Sequence, residues 1–287
     1  MKHFKEVVRA TTPEEAVRLR EAAGTRGLYL AGGTMVVPLA AKAVEVLVDI
    51  SRLDLARIEA RDGEVSLGAL TQLADLVTPQ IKSALPTVYD AARGCATPII
   101  RNMATVGGAL AVAHLPSDLA VAMLALGARL ELAGARSGIV RLEDLLKQGW
   151  LRGHDLVVKV TAPAPRRGRG THFAKFGRTA IDIALVNVAV SLDLAPNGKI
   201  ESLRLAVGQS NSLPVVWGDG TKEVAEEAKG EVISKSIIAN VARKAAGAVK
   251  PRSDFRASGE YRQHLVEVLV ARSLASAARE AGARLDD

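Results

Sequence analysis

Cysteine is almost absent from this sequence, because Cys95 is the single thiol among 287 residues. One thiol can neither close an internal disulfide nor hold an iron–sulfur cluster, which takes about four cysteine ligands. Any such cluster in the reaction is therefore expected on another chain. The five histidines show neither metal-ligand spacing nor a nucleophile partner. We therefore predict no catalytic residue and no metal ligand on this chain.

Aromatic residues are also scarce, at 3% of the chain. The net charge of +7 favours an anionic cofactor, an acidic partner or nucleic acid. Nucleic-acid binding calls for basic clusters with stacking aromatics, yet the cations here are scattered among Asp and Glu. The densest basic run is Arg166, Arg167 and Arg169. We therefore expect no nucleic-acid partner.

The sequence also lacks a long unbroken apolar run. The most apolar stretch, Ala109–Leu130, is interrupted by His114, Pro116 and Asp118, whereas a membrane span needs about 20 consecutive apolar residues. The N-terminus also lacks the charged-then-apolar pattern of a signal peptide. We therefore expect a cytoplasmic protein without a membrane span, and 48% hydrophobic residues suffice for a packed core.

The first part of the chain alternates between strand and helix signals. Thr12 and Glu15 form a capping box, with Pro13 in the first turn, which predicts a helix that ends at Gly24. Apolar runs predict strands at Leu28–Ala31 and Val46–Ile50. The segment from Ile58 to Gly68 alternates like a hairpin with Asp-Gly at its turn.

Further along the chain, Thr71 is expected to cap a helix, and 83–92 is expected to be helical. The stretch Thr161–Gly170 is rich in Pro, Gly and Arg, which predicts a domain boundary between 163 and 164. The first domain would then comprise 1–163. Beyond the boundary, strands joined by a type I′ turn at Asn197-Gly198 precede a mostly helical end, which predicts an α+β domain over 164–287.

Two glycine pairs are the strongest chemical signal. The first, Ala31-Gly32-Gly33-Thr34, follows a strand directly, and the second is Thr105-Val106-Gly107-Gly108-Ala109. Each has two bare backbone N–H groups and one hydroxyl, which suit an anion. A dinucleotide has two adjacent phosphates, which two such turns can hold. No Gly-x-Gly-x-x-Gly opens a helix, so the Rossmann fingerprint is absent. For either turn alone, a simple corner in the chain is the commoner explanation.

Asp118 follows the second glycine turn. A carboxylate accepts two hydrogen bonds, so this residue suits the hydroxyls of a ribose. Its structural alternative is a negative charge that stabilises a helix N-terminus, and both roles can hold at once. Lys175 and Arg178 are expected to face the cofactor or else to lie on a solvated strand face.

These motifs, in this order, resemble the FAD-binding subunit of molybdenum hydroxylases, the family of carbon monoxide dehydrogenase medium subunits and of the middle region of xanthine dehydrogenase. The first turn of that family typically reads Ala-Gly-Gly-Thr-Asp-Leu, and the corresponding residues here are Ala-Gly-Gly-Thr-Met-Val at 31–36. The second reads Ile-Arg-Asn, two residues, Thr-Ile-Gly-Gly-Asn, and the corresponding residues here are Ile-Arg-Asn, two residues, Thr-Val-Gly-Gly-Ala at 100–109. Its Pro-x-Ser-Asp-Leu resembles Leu115-Pro116-Ser117-Asp118-Leu119, and its Arg-x-x-x-Asp-Ile-Ala resembles 178–184. Tyr261–Arg272 resembles the family's last helix.

The resemblance implies an α+β chain, with a two-subdomain FAD-binding fold of the vanillyl-alcohol oxidase (PCMH) type followed by a small α+β domain. The two subdomains of the FAD-binding fold would be about 1–56 and 57–163. It implies non-covalent FAD here, and molybdopterin and [2Fe-2S] clusters on large and small partner subunits, in a dimer of heterotrimers. The chain would take electrons from the small subunit's clusters and pass them to an acceptor. The cofactor-binding residues implied are Leu30, Ala31, Gly32, Gly33, Thr34, Met35, Val36, Arg101, Asn102, Thr105, Val106, Gly107, Gly108, Ala109, His114, Ser117, Asp118, Asp182 and Ile183.

The sequence replaces three polar residues of the family pattern by apolar ones. Met35 replaces an Asp, Ala109 replaces an Asn, and Ile99 replaces a Gln. The lost Asn side chain removes hydrogen bonds while backbone donors remain, so altered contacts to FAD are expected. One alternative is a flavin-poor scaffold subunit of the same complex. Another is a flavoenzyme like enolpyruvyl-UDP-N-acetylglucosamine reductase, whose Val-Gly-Gly-Ala element Ala109 matches, although the acid and the UDP-sugar site that such an enzyme needs are not evident.

Overall fold

The computed structural model describes residues 4–39, 43–111, 117–147, 151, 154–208, 215–216 and 221–285. Two compact units are present. The first consists of Met1–Asp75, Thr97–Val112 and Ala128–Ala162, and the second of Leu76–Ala96, Ala113–Gly127 and Pro163–Asp287. Each unit is built from three chain segments, so no single cut reproduces them. The predicted boundary at 163/164 falls at the start of the last segment, and the predicted division into domains stays a prediction.

The first unit contains a parallel sheet of three strands in the order β1-β3-β2. Its elements are β1 (Glu6–Arg9), α1 (Pro13–Ala23), β2 (Gly27–Leu30), α2 (Val36–Leu39) and β3 (Val46–Asp49). Helix α1 begins as predicted, because Thr12 Oγ1 accepts from the amide of Glu15 at 3.1 Å. The Glu15 carboxylate reaches back to the amide of Thr11 rather than to that of Thr12. The helix ends at Gly24, which has a φ of +56°.

A second sheet of the first unit has five strands in the order β4-β5-β8-β6-β7. These strands are β4 (Ile58–Arg61), β5 (Glu64–Gly68), β6 (Arg129–Ala133), β7 (Gly138–Arg141) and β8 (Leu156–Pro163). Asp62 and Gly63 join β4 to β5 with φ values of +53° and +75°. Positive φ at both central residues defines a type I′ turn, and the antiparallel pairing of β4 with β5 confirms the predicted hairpin.

The second unit is built around an antiparallel sheet of four strands in the order β12-β11-β10-β9. The strands are β9 (Arg169–Phe176), β10 (Val186–Leu194), β11 (Ile200–Gly208) and β12 (Val215–Val216). All nine residues of β10 are buried, because helices pack against the strand from segments far apart in sequence. This mixture of helix and sheet agrees with the predicted α+β class.

The remaining helices are short except at the end of the chain. They are α3 (Pro79–Ala84), α4 (Pro86–Arg93), α5 (Pro98–Arg101), α6 (Val106–Ala111), α7 (Asp118–Ala125), α8 (Leu142–Lys147), α9 (Thr221–Glu227), α10 (Lys235–Ala248) and α11 (Gly259–Glu280). Both α7 and α11 pack against β10. No described helix is both long and apolar enough to cross a membrane.

Three local predictions contain an error. Thr71 caps no helix, because its carbonyl accepts from the amide of Val106 and residues 73–76 form turns. The helix expected over 83–92 is confirmed from Pro86 onwards but is interrupted at Leu85, because a residue before proline disfavours the helical conformation and Pro86 begins a new helix.

The third error concerns the turn between β10 and β11. A type I′ turn needs positive φ at two residues, but only Gly198 has one here, at +77°. Pro196 has no N–H to pair with Lys199, so the loop is wider by one residue and the amide of Ala195 pairs with Lys199 instead. Pro196 and Asn197 then occupy the centre of a turn closed by the Gly198 amide on the Ala195 carbonyl.

Two glycine substitutions test the packing of the second unit. A Cβ on Gly170 of β9 would lie 1.8 Å from the carbonyl oxygen of Ala277 in α11. We expect Gly170→Ala to lower the free energy of unfolding by about 1–3 kcal/mol, because backbone must move. Gly247→Ala in α10 meets nothing within 4 Å, so it should raise that free energy by about 0.5–1 kcal/mol. Urea unfolding measures both, and changes of the same sign would contradict this packing.

Candidate functional site

The first glycine turn leaves the end of β2 and leads into α2. Gly33 has a φ of +69°, which favours glycine, and its carbonyl accepts from the amide of Val37. In the described part of the chain, the amides of Gly32, Gly33 and Thr34 donate to no protein acceptor. Three successive unpaired amides with a hydroxyl at Thr34 form an arrangement that suits an anion.

Close contact joins this turn to the segment before the second glycine turn. A Cβ on Gly32 would lie 1.7 Å from the carbonyl oxygen of Met103 and 3.3 Å from Cα of Ala104. The Ala104 carbonyl is itself held by the amide of Leu73 at 2.9 Å. The structure thus brings together two motifs that are about seventy residues apart in the sequence, and only glycine permits the approach.

The second glycine turn differs from the prediction. Thr105 Oγ1 accepts from the amide of Gly108 at 3.2 Å, and the amide of Gly107 donates to the carbonyl of Ala69 at 2.8 Å. The expectation that these two N–H groups are bare is therefore wrong, because the turn closes directly into α6. A Cβ on Gly107 would lie 2.8 Å from that of Ala69, so this glycine permits packing rather than donation.

The other predicted residues of the first unit flank these turns. Leu30, Ala31, Met35 and Val36 are partly exposed around the first turn, Val106 is buried at the start of α6, and Ala109 is partly exposed within it. Arg101 ends α5, and Asn102 is exposed just before the Met103 contact. No carboxylate occurs among these residues, so nothing in this set repels a phosphate.

Asp118 of the second unit lies in a buried polar cluster. Ser117 caps α7 by accepting from the amide of Ala120 at 3.2 Å. The Asp118 side chain accepts from Lys175 Nζ at 2.8 Å and from the Asn187 amide, and the residue is only 4% exposed. Burial raises the pKa of Asp118, while the Lys175 ammonium opposes that shift. Its predicted contact with a ribose stays a prediction.

Lys175 is the residue whose surroundings the sequence predicted least well. Its side chain is 12% exposed, and its ammonium also donates to the carbonyl of Gly94 at 2.8 Å. The alternative of a solvated strand face is therefore wrong for Lys175. Asn187 was not predicted at all, although one signal existed: it is an amide within the apolar run of β10.

Asp182 and Ile183 follow β9 on an exposed turn of the second unit. The Asp182 carboxylate accepts from Arg178 Nε at 2.7 Å and from the amide of Ile183 at 2.9 Å. The Arg178 guanidinium holds the pKa of Asp182 below its usual value. Ile183 is 47% exposed. His114, also predicted to contact the cofactor, lies outside the described residues.

Comparison with known proteins identifies the family. Residues 2–165 match the FAD binding domain in molybdopterin dehydrogenase, and residues 171–277 match the CO dehydrogenase flavoprotein C-terminal domain. The chain belongs to the FAD-binding medium subunits of molybdenum hydroxylases. The predicted resemblance and fold class are thereby confirmed.

Relatives of this medium subunit match along nearly their whole length. The glyceraldehyde dehydrogenase medium chain of Sulfolobus acidocaldarius is 32% identical and covers 91% of this chain and 94% of its own. The xanthine dehydrogenase FAD-binding subunit of Escherichia coli O157:H7 is 31% identical, with 98% and 99% covered. A chain of the Hydrogenophaga pseudoflava carbon monoxide dehydrogenase matches with a TM-score of 0.86 at 25% identity, with 96% and 98% covered.

These matches favour the molybdenum hydroxylase prediction over the alternative of a reductase for enolpyruvyl-UDP-N-acetylglucosamine. They make this medium subunit part of an oxidoreductase with an FAD-binding domain. Among the described residues, no group of three or more His, Cys, Asp or Glu side chains is placed to hold a metal ion.

The buried ion pair of the medium subunit makes a testable contribution to stability. Asp118→Ala leaves the Lys175 ammonium buried without its carboxylate, so we expect the free energy of unfolding to fall by about 3–5 kcal/mol. Asp118→Leu combined with Lys175→Met removes both charges and should recover most of that loss. Urea unfolding of the three proteins measures this, and a double variant as unstable as Asp118→Ala would contradict the pairing.

Proposed function

We propose that this medium subunit transfers electrons from the iron–sulfur clusters of a small subunit to an external acceptor, while a large molybdopterin subunit oxidises the organic substrate. The observation that carries the proposal is the geometry of the Gly32-Gly33 turn. Its three successive amides are unpaired in the described part of the chain, and its Gly32 lies against the segment before the second turn. The names of the relatives support it, since they are medium chains or FAD-binding subunits of dehydrogenases.

The residues of the first unit fit FAD. The amides of Gly32, Gly33 and Thr34 would donate to the pyrophosphate, and the Thr34 hydroxyl would add another donor. When bound, FAD supplies the chemistry that links one-electron donors to a two-electron acceptor. Gly107 would act as a spacer that lets α6 pack, rather than as a donor. The sequence has no obvious residue for covalent attachment of a flavin, so FAD should leave the denatured chain.

We propose the roles of the second unit's residues separately, as the family resemblance implies them. The Asp118 carboxylate accepts hydrogen bonds from Lys175 and Asn187. Because a carboxylate has about four lone-pair sites, it can accept a further hydrogen bond from a ribose hydroxyl. Asp182 and Ile183 remain the residues that we propose for the flavin ring, with Arg178 holding the Asp182 carboxylate in place. None of these residues needs to move a proton from an organic substrate.

A flavin-poor scaffold subunit is the second candidate. The backbone amides of Gly107 and Gly108 favour it, because each already donates a hydrogen bond within the protein. The second turn therefore offers a phosphate fewer hydrogen-bond donors than expected. Met35 and Ala109 remove two further polar side chains relative to the family pattern. The two candidates differ in one measurable property, the affinity of the purified chain for FAD.

For the assembly, we propose a dimer of heterotrimers in the cytoplasm, with molybdopterin and [2Fe-2S] clusters on the large and small subunits. Its single cysteine prevents this chain from holding a four-cysteine cluster itself. The substrate pocket would then lie on another chain, and the residues here do not select between an aldehyde, a purine and carbon monoxide.

One substitution tests the first glycine turn. Gly33→Val forces a β-branched residue into positive φ and displaces amides, so we expect FAD affinity to fall about 100-fold, as the loss of two charge-assisted hydrogen bonds implies. Gly63→Val is the matched control, because Gly63 has a φ of +75° in the hairpin turn with nothing near its Cβ. FAD titration followed by flavin fluorescence measures both affinities. Equal affinities in the two variants would refute the site.

The proposal that substrate oxidation and electron transfer occur on different subunits gives a further prediction. The isolated chain should bind FAD but oxidise no organic substrate, because electrons must enter from a partner. The full complex should reduce a dye with an aldehyde, a purine or carbon monoxide as donor. Turnover by the isolated chain at the rate of the complex would show that the proposed role is wrong.

A further inference from the structure

Asn187 places a polar side chain in the middle of an otherwise apolar part of the second unit. The residue lies in β10 and is completely buried, at 0% exposure. Its neighbours in the strand, Val186 and Val188, belong to the hydrophobic core that includes residues of α10 and α11. Because successive side chains of a strand point to opposite faces, Asn187 faces away from that core. Its amide therefore serves the other face of the sheet, against which α7 packs.

Only one end of this amide has a hydrogen-bond partner among the described residues. Its Nδ2 donates to Oδ1 of Asp118, whereas Oδ1 of Asn187 is buried and has no described donor. That oxygen fits because residue 208 is a glycine, since a Cβ there would lie 2.0 Å from it. A buried acceptor without a partner is unfavourable, so an amide that served the fold alone should have both ends paired. The hydrogen bonding of Asn187 is directed to Asp118.

The Asp118 carboxylate is held at both oxygens by two adjacent strands. Lys175 of β9 and Asn187 of β10 are directly opposite each other in the antiparallel sheet, so their side chains lie on the same face. Lys175 Nζ lies 2.8 Å from Oδ2 of Asp118, and the Asn187 amide donates to Oδ1. The ammonium is itself fixed by the carbonyl of Gly94 at 2.8 Å. The lone pairs that remain on the carboxylate therefore have a defined direction.

We propose that Asn187 is a positioning residue of the FAD site, whose amide orients the Asp118 carboxylate so that it accepts from a ribose hydroxyl of the cofactor. This inference rests on the proposed function, in which Asp118 accepts that hydrogen bond. Lys175 alone would not set the orientation, because an ammonium is a point charge and the terminal torsion of an aspartate is broad. The directional N–H of Asn187 fixes the plane of the carboxylate.

The competing explanation is that Asn187 serves only to attach α7 to the sheet. Replacement of the residue would then lower the stability of the chain but leave the affinity of the folded chain for FAD unchanged. A positioning role predicts a change in that affinity while the chain stays folded. The test therefore measures affinity and stability separately.

The charges around Asp118 determine how a substitution at Asn187 responds to pH. The elements packed against α7, together with β9, carry the titratable residues Asp90, Arg93, Arg169, His172, Lys175, Asp193, Glu201 and Arg204. Of these, only Lys175 forms an ion pair with Asp118 in the described part of the chain. A single ammonium therefore faces any second carboxyl group placed beside Asp118.

Asn187→Asp tests the amide donor with almost no change of shape. Two carboxyl groups in contact share one proton at low pH, and the protonated group can donate to Asp118 as the amide does. The FAD affinity of this variant should therefore be close to that of wild type at about pH 5.5. It should fall about 10-fold towards about pH 8, because the shared proton is lost and the carboxylates repel each other. Wild type should show no such fall as the pH rises, since an amide does not titrate.

Asn187→Leu removes the donor without adding a charge, so its FAD affinity should be about 10-fold below that of wild type at pH 7. Ser191→Ala is the matched control, because Ser191 is a buried polar residue on the same face of β10. The full chain, freed of flavin, is titrated with FAD and followed by flavin fluorescence at each pH. Circular dichroism and urea unfolding of the same samples report whether each variant is folded and how stable it is.

The outcomes separate this inference from the proposed function. Folded variants at Asn187 that bind FAD as tightly as wild type at every pH overturn the positioning role and leave only attachment of α7. An equal loss of affinity in Ser191→Ala overturns it as well, because any disturbance of β10 would then suffice. If Asn187→Asp unfolds at high pH, the affinity of Asn187→Leu decides in the same way. A wild-type chain that binds no FAD refutes the proposed function itself, and the positioning role with it.

Discussion

The backbone of Gly32 lies against the carbonyl oxygen of Met103, and the candidate site depends on this contact. A Cβ at Gly32 would lie 1.7 Å from that oxygen, so any other residue would separate the two glycine motifs. The contact leaves the amides of the first turn available, while the second turn closes into α6 and uses its own amides internally. The two similar motifs therefore have different roles: the first offers donors, and the second holds its segment in place.

In the second unit, a buried ion pair also joins distant parts of the chain. Asp118 and Lys175 are both buried, which would be costly for either alone, and Asn187 adds the hydrogen bond that a buried carboxylate needs. The pair connects the start of α7 to the central sheet, so it sets the position of a segment that follows the second glycine motif in sequence. Structural and binding roles for Asp118 are compatible because its carboxylate has more lone pairs than these two partners use.

Exposure distinguishes Phe255 from these interior features, because this residue is 90% exposed. Its turn is held by the Asp254 carboxylate, which accepts from the Arg256 amide and from Arg262 Nη2. Local hydrogen bonds to one carboxylate therefore fix this turn although its aromatic side chain lies outside the core.

The sequence by itself determined the features that depend on neighbouring residues: the capping of α1 by Thr12, the Asp62-Gly63 hairpin, and the order of motifs that identifies the family. It failed at Pro196, where a missing N–H altered a turn, and at Thr71, whose carbonyl pairs with a distant amide. Only the tertiary structure decided which amides are unpaired and that Lys175 is buried against Asp118. Those properties depend on partners far away in the chain, and local patterns contain no information about distance in space.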